Sequence, residues 1–176
     1  MPADGSAGLS ATQWRSLTDG IHALAAACAP LGVRLSVHPH AGSYVETREE
    51  LDRLLHTTDA DALGLCVDAG HLVYGGADPV EVARTFGSRI RYVHIKDVNP
   101  DVLAECRTQG IGFLDALRRY IFCGLGKGSV DLHGFVEGLR RSAFAGWMVV
   151  EEDTSPDLPL VAARRNRRYL QDVFGI

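Results

Sequence analysis

Apolar positions along the chain fall into two alternating patterns, one at helical spacing and one of short unbroken runs. From Trp14 to Ala29 the residues Leu17, Ile21, Leu24, Ala25 and Cys28 recur at helical intervals, and Pro30-Leu31-Gly32 breaks the pattern. Val33–Val37 reads as a strand. Thr47 with Glu50 three residues later has capping-box spacing ahead of Leu51, Leu54 and Leu55, so a second helix is expected there. Leu63–Val67 has strand length, Asp78-Pro79 opens a helix carrying Val82 and Phe86, and Ile90–Ile95 gives a third strand. The stretch from Asp101 to Ser129 is more mixed and reads as an insertion, with a helix over Phe113–Phe122 and a glycine-rich loop over Gly124–Gly128. Helical spacing returns over Asp131–Ser142, Trp147–Val150 supplies a fourth strand, and Leu158–Phe174 reads as a basic amphipathic helix.

Apolar strands separated by helices pair in parallel through right-handed crossovers, so an α/β fold is expected. The length of 176 residues, 46% hydrophobic and 23% charged, is that of one globular domain, taken as residues 1–176. A net charge of −4 and a pI of 5.9 argue against nucleic acid as a partner. No apolar run has the length needed to cross a bilayer, and Met1–Leu9 lacks the makeup of a secretory leader, so no membrane partner and a cytoplasmic location are expected. Cys28, Cys66, Cys106 and Cys123 form no C-x-x-C pair and are expected as reduced packing residues.

In a parallel α/β sheet, side chains from different strands meet at the carboxyl ends of those strands. The chain reads His38-Pro39-His40 after the first strand, Asp68-Ala69-Gly70-His71 after the second, His94-Ile95-Lys96-Asp97 at the third and Glu151-Glu152-Asp153 after the fourth. A lone His or Asp in such a place is ordinarily a hydrogen-bonded or capping residue; four together at one edge point to a divalent cation. Imidazole and carboxylate donors suit Mn²⁺, Co²⁺, Fe²⁺ or Zn²⁺, and Mg²⁺ stays within the range. The same groups permit metal-assisted enolisation, with Glu151 placed to act as base. Lys96 either supports developing negative charge or pairs with Asp97 or another rim carboxylate.

Five segments carry a family resemblance: HPHAGSYVET over His38–Thr47, DAGHLVYGGADP over Asp68–Pro79, RIRYVHIKDV over Arg89–Val98, GKGSVDL over Gly126–Leu132 and GWMVVEED over Gly146–Asp153. In this order they resemble the xylose-isomerase-like TIM barrels, the sugar isomerase, epimerase and dehydratase superfamily, and within it the inosose (2-keto-myo-inositol) dehydratase subgroup. The resemblance covers about residues 31–153. It implies a divalent metal held by a Glu, Asp, His, Glu set, in which Asp68, His94 and Glu151 match three positions. The first carboxylate is assigned to Glu46, with His38 as its substitute, since the strand itself ends in His38. His71 matches a substrate-contacting position of the epimerase branch, and His40 is placed beside it. Catalytic roles then fall to Glu151, Lys96 and His38, acting on a small sugar or cyclitol.

A complete barrel of this type has eight strands, whereas four are expected here, matching the family's second half. Such a partial (β/α) barrel leaves two strand edges and its inner surface open. A homodimer, a complementing half-barrel chain, or a fragment of limited activity each accommodates this, and the homodimer closes both edges with one surface. The expected function is a metal-dependent lyase or isomerase acting on a keto sugar or inosose. The alternative is a non-catalytic metal- or sugar-binding half-barrel, or a truncated inactive relative. Gly124–Gly128 lacks P-loop spacing, and Ser43 and Ser129 lack a nucleophile-elbow setting.

Overall fold

The computed structural model describes residues 8–176; the leader reading of Met1–Leu9 falls mostly on residues 1–7, which lie outside the described residues. Four parallel strands, β1 (Leu35–Val37), β2 (Leu63–Asp68), β3 (Ile90–Ile95) and a later strand over Trp147–Val150, form one sheet in chain order. Helices α1 (Ala11–Cys28), α2 (Arg48–Thr57), α3 (Ala69–Tyr74) and α4 (Pro79–Phe86) alternate with the first strands. The expected strand over 33–37 starts two residues late. Gly32 at φ 68° turns the chain, and the Val33 amide is still committed to the Cys28 carbonyl at the helix end.

Capping residues account for the helix starts. Ser10 and Gln13 form a capping box at α1, Thr47 and Glu50 another at α2, and Asp78 accepts from the Val80 and Glu81 amides at α4. The short α3 starts on Asp68, whose Oδ1 accepts the His71 amide at 2.8 Å. Its six residues follow the strand without a loop, too few to show helical periodicity.

The segment expected as an insertion is more ordered than its composition suggested. It holds β4 (Asp97–Val98), α5 (Pro100–Gln109), α6 (Phe113–Arg118) and β5 (Phe122–Cys123), with β4 and β5 antiparallel. The helix expected over 113–122 ends at Arg118, because Tyr120 takes φ 58° and Ile121 bonds back to Ala116, which frees Phe122 to pair with Val98. The glycine-rich loop is tied down by Asp97. This carboxylate accepts the Gly126 and Gly128 amides on Oδ2, at 3.0 and 2.9 Å, and the Val98 and Val130 amides on Oδ1, at 2.9 and 3.1 Å. The chain closes with α7 (Leu132–Arg141), β6 (Trp147–Val150) and α8 (Pro159–Phe174).

Strand side chains alternate between two faces. Leu65, Val67, Val93 and Ile95 are fully buried in the core with Leu51, Val82, Phe135 and Leu139 from the helices. A second cluster joins Trp14, Val45, Leu54 and Leu63 beneath α1. The opposite face bears Cys66, Asp68, Tyr92 and His94, and in β6 it bears Trp147 and Val149, 76% and 37% exposed. That face is open along β6, and β1 and β6 are the two edges of the sheet among the described residues. No helix among the described residues is long and apolar enough to cross a membrane. All four cysteines are free thiols, as expected, and burial pushes Cys66 and Cys123 up to about 12.

Candidate metal centre

Register and strand polarity bring the site together. Asp68 at the end of β2 pairs laterally with His94 in β3, and His94 with Val149 in β6, so Glu151, two residues beyond Val149, points to the same face as His94. His38 follows β1 directly. One donor atom each from His38, Asp68, His94 and Glu151 lies within 4.8 Å of the others. His94 Nδ1 stands 2.6 Å from Glu151 Oε2, 3.4 Å from Asp68 Oδ2 and 3.1 Å from His38 Nε2.

The donors are oriented by contacts behind them. Asp68 spends Oδ1 on the α3 cap and keeps Oδ2 for the site. His38 Nδ1 donates to the Pro39 carbonyl at 2.8 Å, which leaves the Nε2 lone pair of the neutral ring facing inward. Asp68 Oδ2 and Glu151 Oε2 are buried without a well-formed hydrogen bond among the described residues. Buried carboxylate oxygens are ordinarily satisfied, and a cation would satisfy both at once. Three carboxylates, Asp68, Glu151 and Asp153, converge on the single ammonium of Lys96. With neutral imidazoles, the surplus equals the charge of one divalent cation, so the residues present fit such an ion.

The field of this group is visible in its titrations. Burial alone would raise Asp68, yet the His94 ring beside it, Lys96 and the His71 amide hold it well below the usual carboxylate range. Asp68 raises His94 above the ordinary imidazole value, ahead of the opposing effect of burial, and Glu151 adds to the rise. Burial lowers His38 and drives His71 far down, so both rings are neutral near pH 7.

Glu46, expected as the first carboxylate, lies outside this group. Its Oε2 accepts the Gly42 amide at 2.7 Å within the β1–α2 loop, and burial raises its pKa. Eight residues of chain after His38 carry Glu46 toward the cap of α2, while His38, the substitute, continues the strand and stands inside the group. His40 and His71 come together as one wall, with ring centroids 3.9 Å apart. His71 Nδ1 accepts the Ala41 amide at 3.1 Å, so its proton sits on Nε2, which has no hydrogen-bond partner among the described residues. Lys96 is fully buried and pairs with Asp153 at 2.7 Å rather than with Asp97.

Two participants were not singled out from sequence. Asp153 lies in the polar run after β6, where only Glu151 was selected. Cys66 sits with His38 and His94 as a second possible donor trio on the same face.

A family model described as xylose isomerase-like TIM barrel matches residues 2–173. An inosose dehydratase of Geobacillus kaustophilus is 40% identical over 164 residues, covering 92% of this chain and 53% of that protein. One from Clostridium botulinum is 32% identical over 175 residues, covering 98% of this chain and 59% of that protein. The chain thus spans between half and three fifths of the length of these relatives. Among solved structures, the probable 3-DHS dehydratase AsbF from Bacillus anthracis superposes with a TM-score of 0.73 at 18% identity, over 93% of this chain and 58% of that one. The IOLI protein with a binding zinc atom gives 0.70 at 20% identity, over 96% and 59%. At these identities the structural matches establish the shared fold.

Proposed function

The chain belongs to the xylose isomerase-like TIM barrel family, and from that premise we propose that it carries the metal-binding half of an enzyme acting on a keto sugar or inosose. Dehydration is favoured over epimerisation, because the relatives above 30% identity bear the name inosose dehydratase. The observation that carries this reading is the convergence of one donor atom each from His38, Asp68, His94 and Glu151 beside three carboxylates that share a single ammonium.

Mn²⁺, Co²⁺, Mg²⁺, Fe²⁺ or Zn²⁺ held by these four residues would supply Lewis-acid stabilisation for the charge that develops on a carbonyl oxygen when the neighbouring carbon loses its proton. Glu151 is the proton-moving carboxylate, since its side chain is 37% exposed whereas that of Asp68 is closed off. Lys96 adds positive field from behind the carboxylates, and His38, fixed by its Nδ1–H on the Pro39 carbonyl, would act on the reacting centre through the cation held at its Nε2. His40 and His71 form the substrate wall, where the unpartnered Nε2–H of His71 can donate to a hydroxyl. The substrate is a small sugar or cyclitol handled in the cytoplasm.

Turnover of an inosose and ketose panel, with and without added Mn²⁺ or Co²⁺, tests the reading. Activity that is lost to chelator and restored by metal is expected. Stoichiometric metal with no turnover of any panel member would instead favour a non-catalytic metal- or sugar-binding role. The open edges of β1 and β6 further suggest that two copies close an eight-stranded ring about a twofold axis. Light scattering after size-exclusion chromatography should return twice the 19.0 kDa chain mass. A stable, well-folded monomer rejects the dimer and leaves a complementing half-barrel chain or a fragment of limited activity.

A further inference from the structure

Lys96 is the largest fully buried side chain among the described residues, and it sits two residues from a proposed metal ligand. Its ammonium lies 3.4 Å from Asp68 Oδ2 and 3.4 Å from Glu151 Oε2, the two oxygens that face the cation position. No other Lys or Arg among the described residues pairs with either carboxylate. On a third side the ammonium lies 2.7 Å from Asp153 Oδ2, and the Phe122 ring covers a fourth with its centroid 4.3 Å away. The aliphatic stem is held as firmly, since a Cβ at Gly70 would come within 2.5 Å of Lys96 Cγ. The stem therefore runs tightly over the first turn of α3 to an ammonium at one set position.

We propose that Lys96 is the resident counter-ion of the metal centre, and that Asp153 is the anchor that keeps its ammonium in place when a divalent cation arrives. Without a cation, Asp68 and Glu151 face each other in a buried site, and the ammonium offsets their repulsion. When a cation binds, it shares both carboxylates with Lys96, and Asp153 then becomes the ammonium's principal partner. Lys96 thus stabilises the metal-free fold while it opposes the metal. The inference rests on the metal-site reading only for the second half of that statement.

These two effects have opposite signs, which a purely structural lysine would not produce. Lys96→Met removes the charge and keeps the stem. In chelator it should melt below the parent protein, yet it should bind Mn²⁺ about tenfold more tightly, because a positive charge beside the incoming cation has gone. Asp153→Asn releases the ammonium toward Asp68 and Glu151 and should bind Mn²⁺ about tenfold more weakly. In chelator the Lys96→Met, Asp153→Asn double variant should be less destabilised than the two single changes combined, since it leaves no unpaired charge from this pair. Calorimetric Mn²⁺ titration and thermal melting supply both readouts. Lys96→Met binding Mn²⁺ no more tightly than the parent, or single effects in chelator that simply add, overturns the inference. If Lys96→Met does not fold, unchanged Mn²⁺ affinity in Asp153→Asn overturns it. A parent protein that binds no cation defeats the functional reading, and the melting cycle in chelator then decides the counter-ion role alone.

Discussion

Asp68→Ala and His94→Ala should each reduce bound divalent cation from about one per chain to none after equilibrium dialysis against micromolar Mn²⁺ or Zn²⁺. Both residues point a donor into the four-residue group. Loss of a contact behind a metal ligand typically weakens binding by about 10–100-fold, so loss of a ligand should exceed that range. His38→Ala should follow them. Glu46→Gln should keep its metal, because Glu46 holds the Gly42 amide and stands apart from the group. Metal content unchanged in Asp68→Ala and His94→Ala would remove the basis of the proposed chemistry.

The same dialysis has a pH sign. His94 Nδ1 faces Asp68 and Glu151, and Asp68 holds its pKa above the ordinary imidazole value, so in metal-free protein it keeps its proton to higher pH than an ordinary imidazole, and metal competes with that proton. Affinity should therefore rise with pH. The contribution of His94 to the stability of the metal-free protein should run the other way, against the contributions of His38 and His71, whose lowered values cost stability as pH falls. A group whose folded pKa is raised contributes stability that is fully present below its ordinary value and is lost as pH climbs through the raised one.

The largest stability effect is expected away from the metal. Asp97→Ala removes the acceptor for four backbone amides, those of Val98, Gly126, Gly128 and Val130, at a residue 1% exposed. Orphaned buried donors cost about 1–3 kcal/mol each, and solvent entry at the loop relieves part of that, so a loss of about 3–5 kcal/mol is expected. That corresponds to a fall in Tm on the order of 10 °C. Asp97→Asn keeps one accepting oxygen and should lose less. A Tm for Asp97→Ala within about 2 °C of the parent would show that the loop does not depend on this carboxylate.

The sheet was legible because each parallel strand, buried on its helix-facing side, reads as a short apolar run, and because Thr47 and Asp78 mark helix starts by local chemistry. The segment after β3 was less so. Two-residue strands such as β4 and β5 have no period to detect, and α5 depends on an Asn99 cap in a stretch whose buried residues are only Leu103 and Cys106. At the site, Asp68, His94 and Glu151 follow from strand ends, where the alternation of side chains decides which face each one joins. Choosing between His38 and Glu46 needed the path of a loop, which no periodicity encodes. Asp153 and Phe122 gain their meaning only from the position of the Lys96 ammonium, set by the close passage of its stem past Gly70. The glycine-rich segment 124–128 resembles an anion cradle in composition, but two of its amides are already occupied by Asp97.

Anomalous diffraction from crystals grown with Mn²⁺ or Zn²⁺ bears most directly on the convergence of the four donors. A single strong peak within about 2.0–2.3 Å of His38 Nε2, Asp68 Oδ2, His94 Nδ1 and Glu151 Oε2 is the expected result. A fully soaked crystal with no peak among these atoms, or with its peak on Glu46, would contradict it.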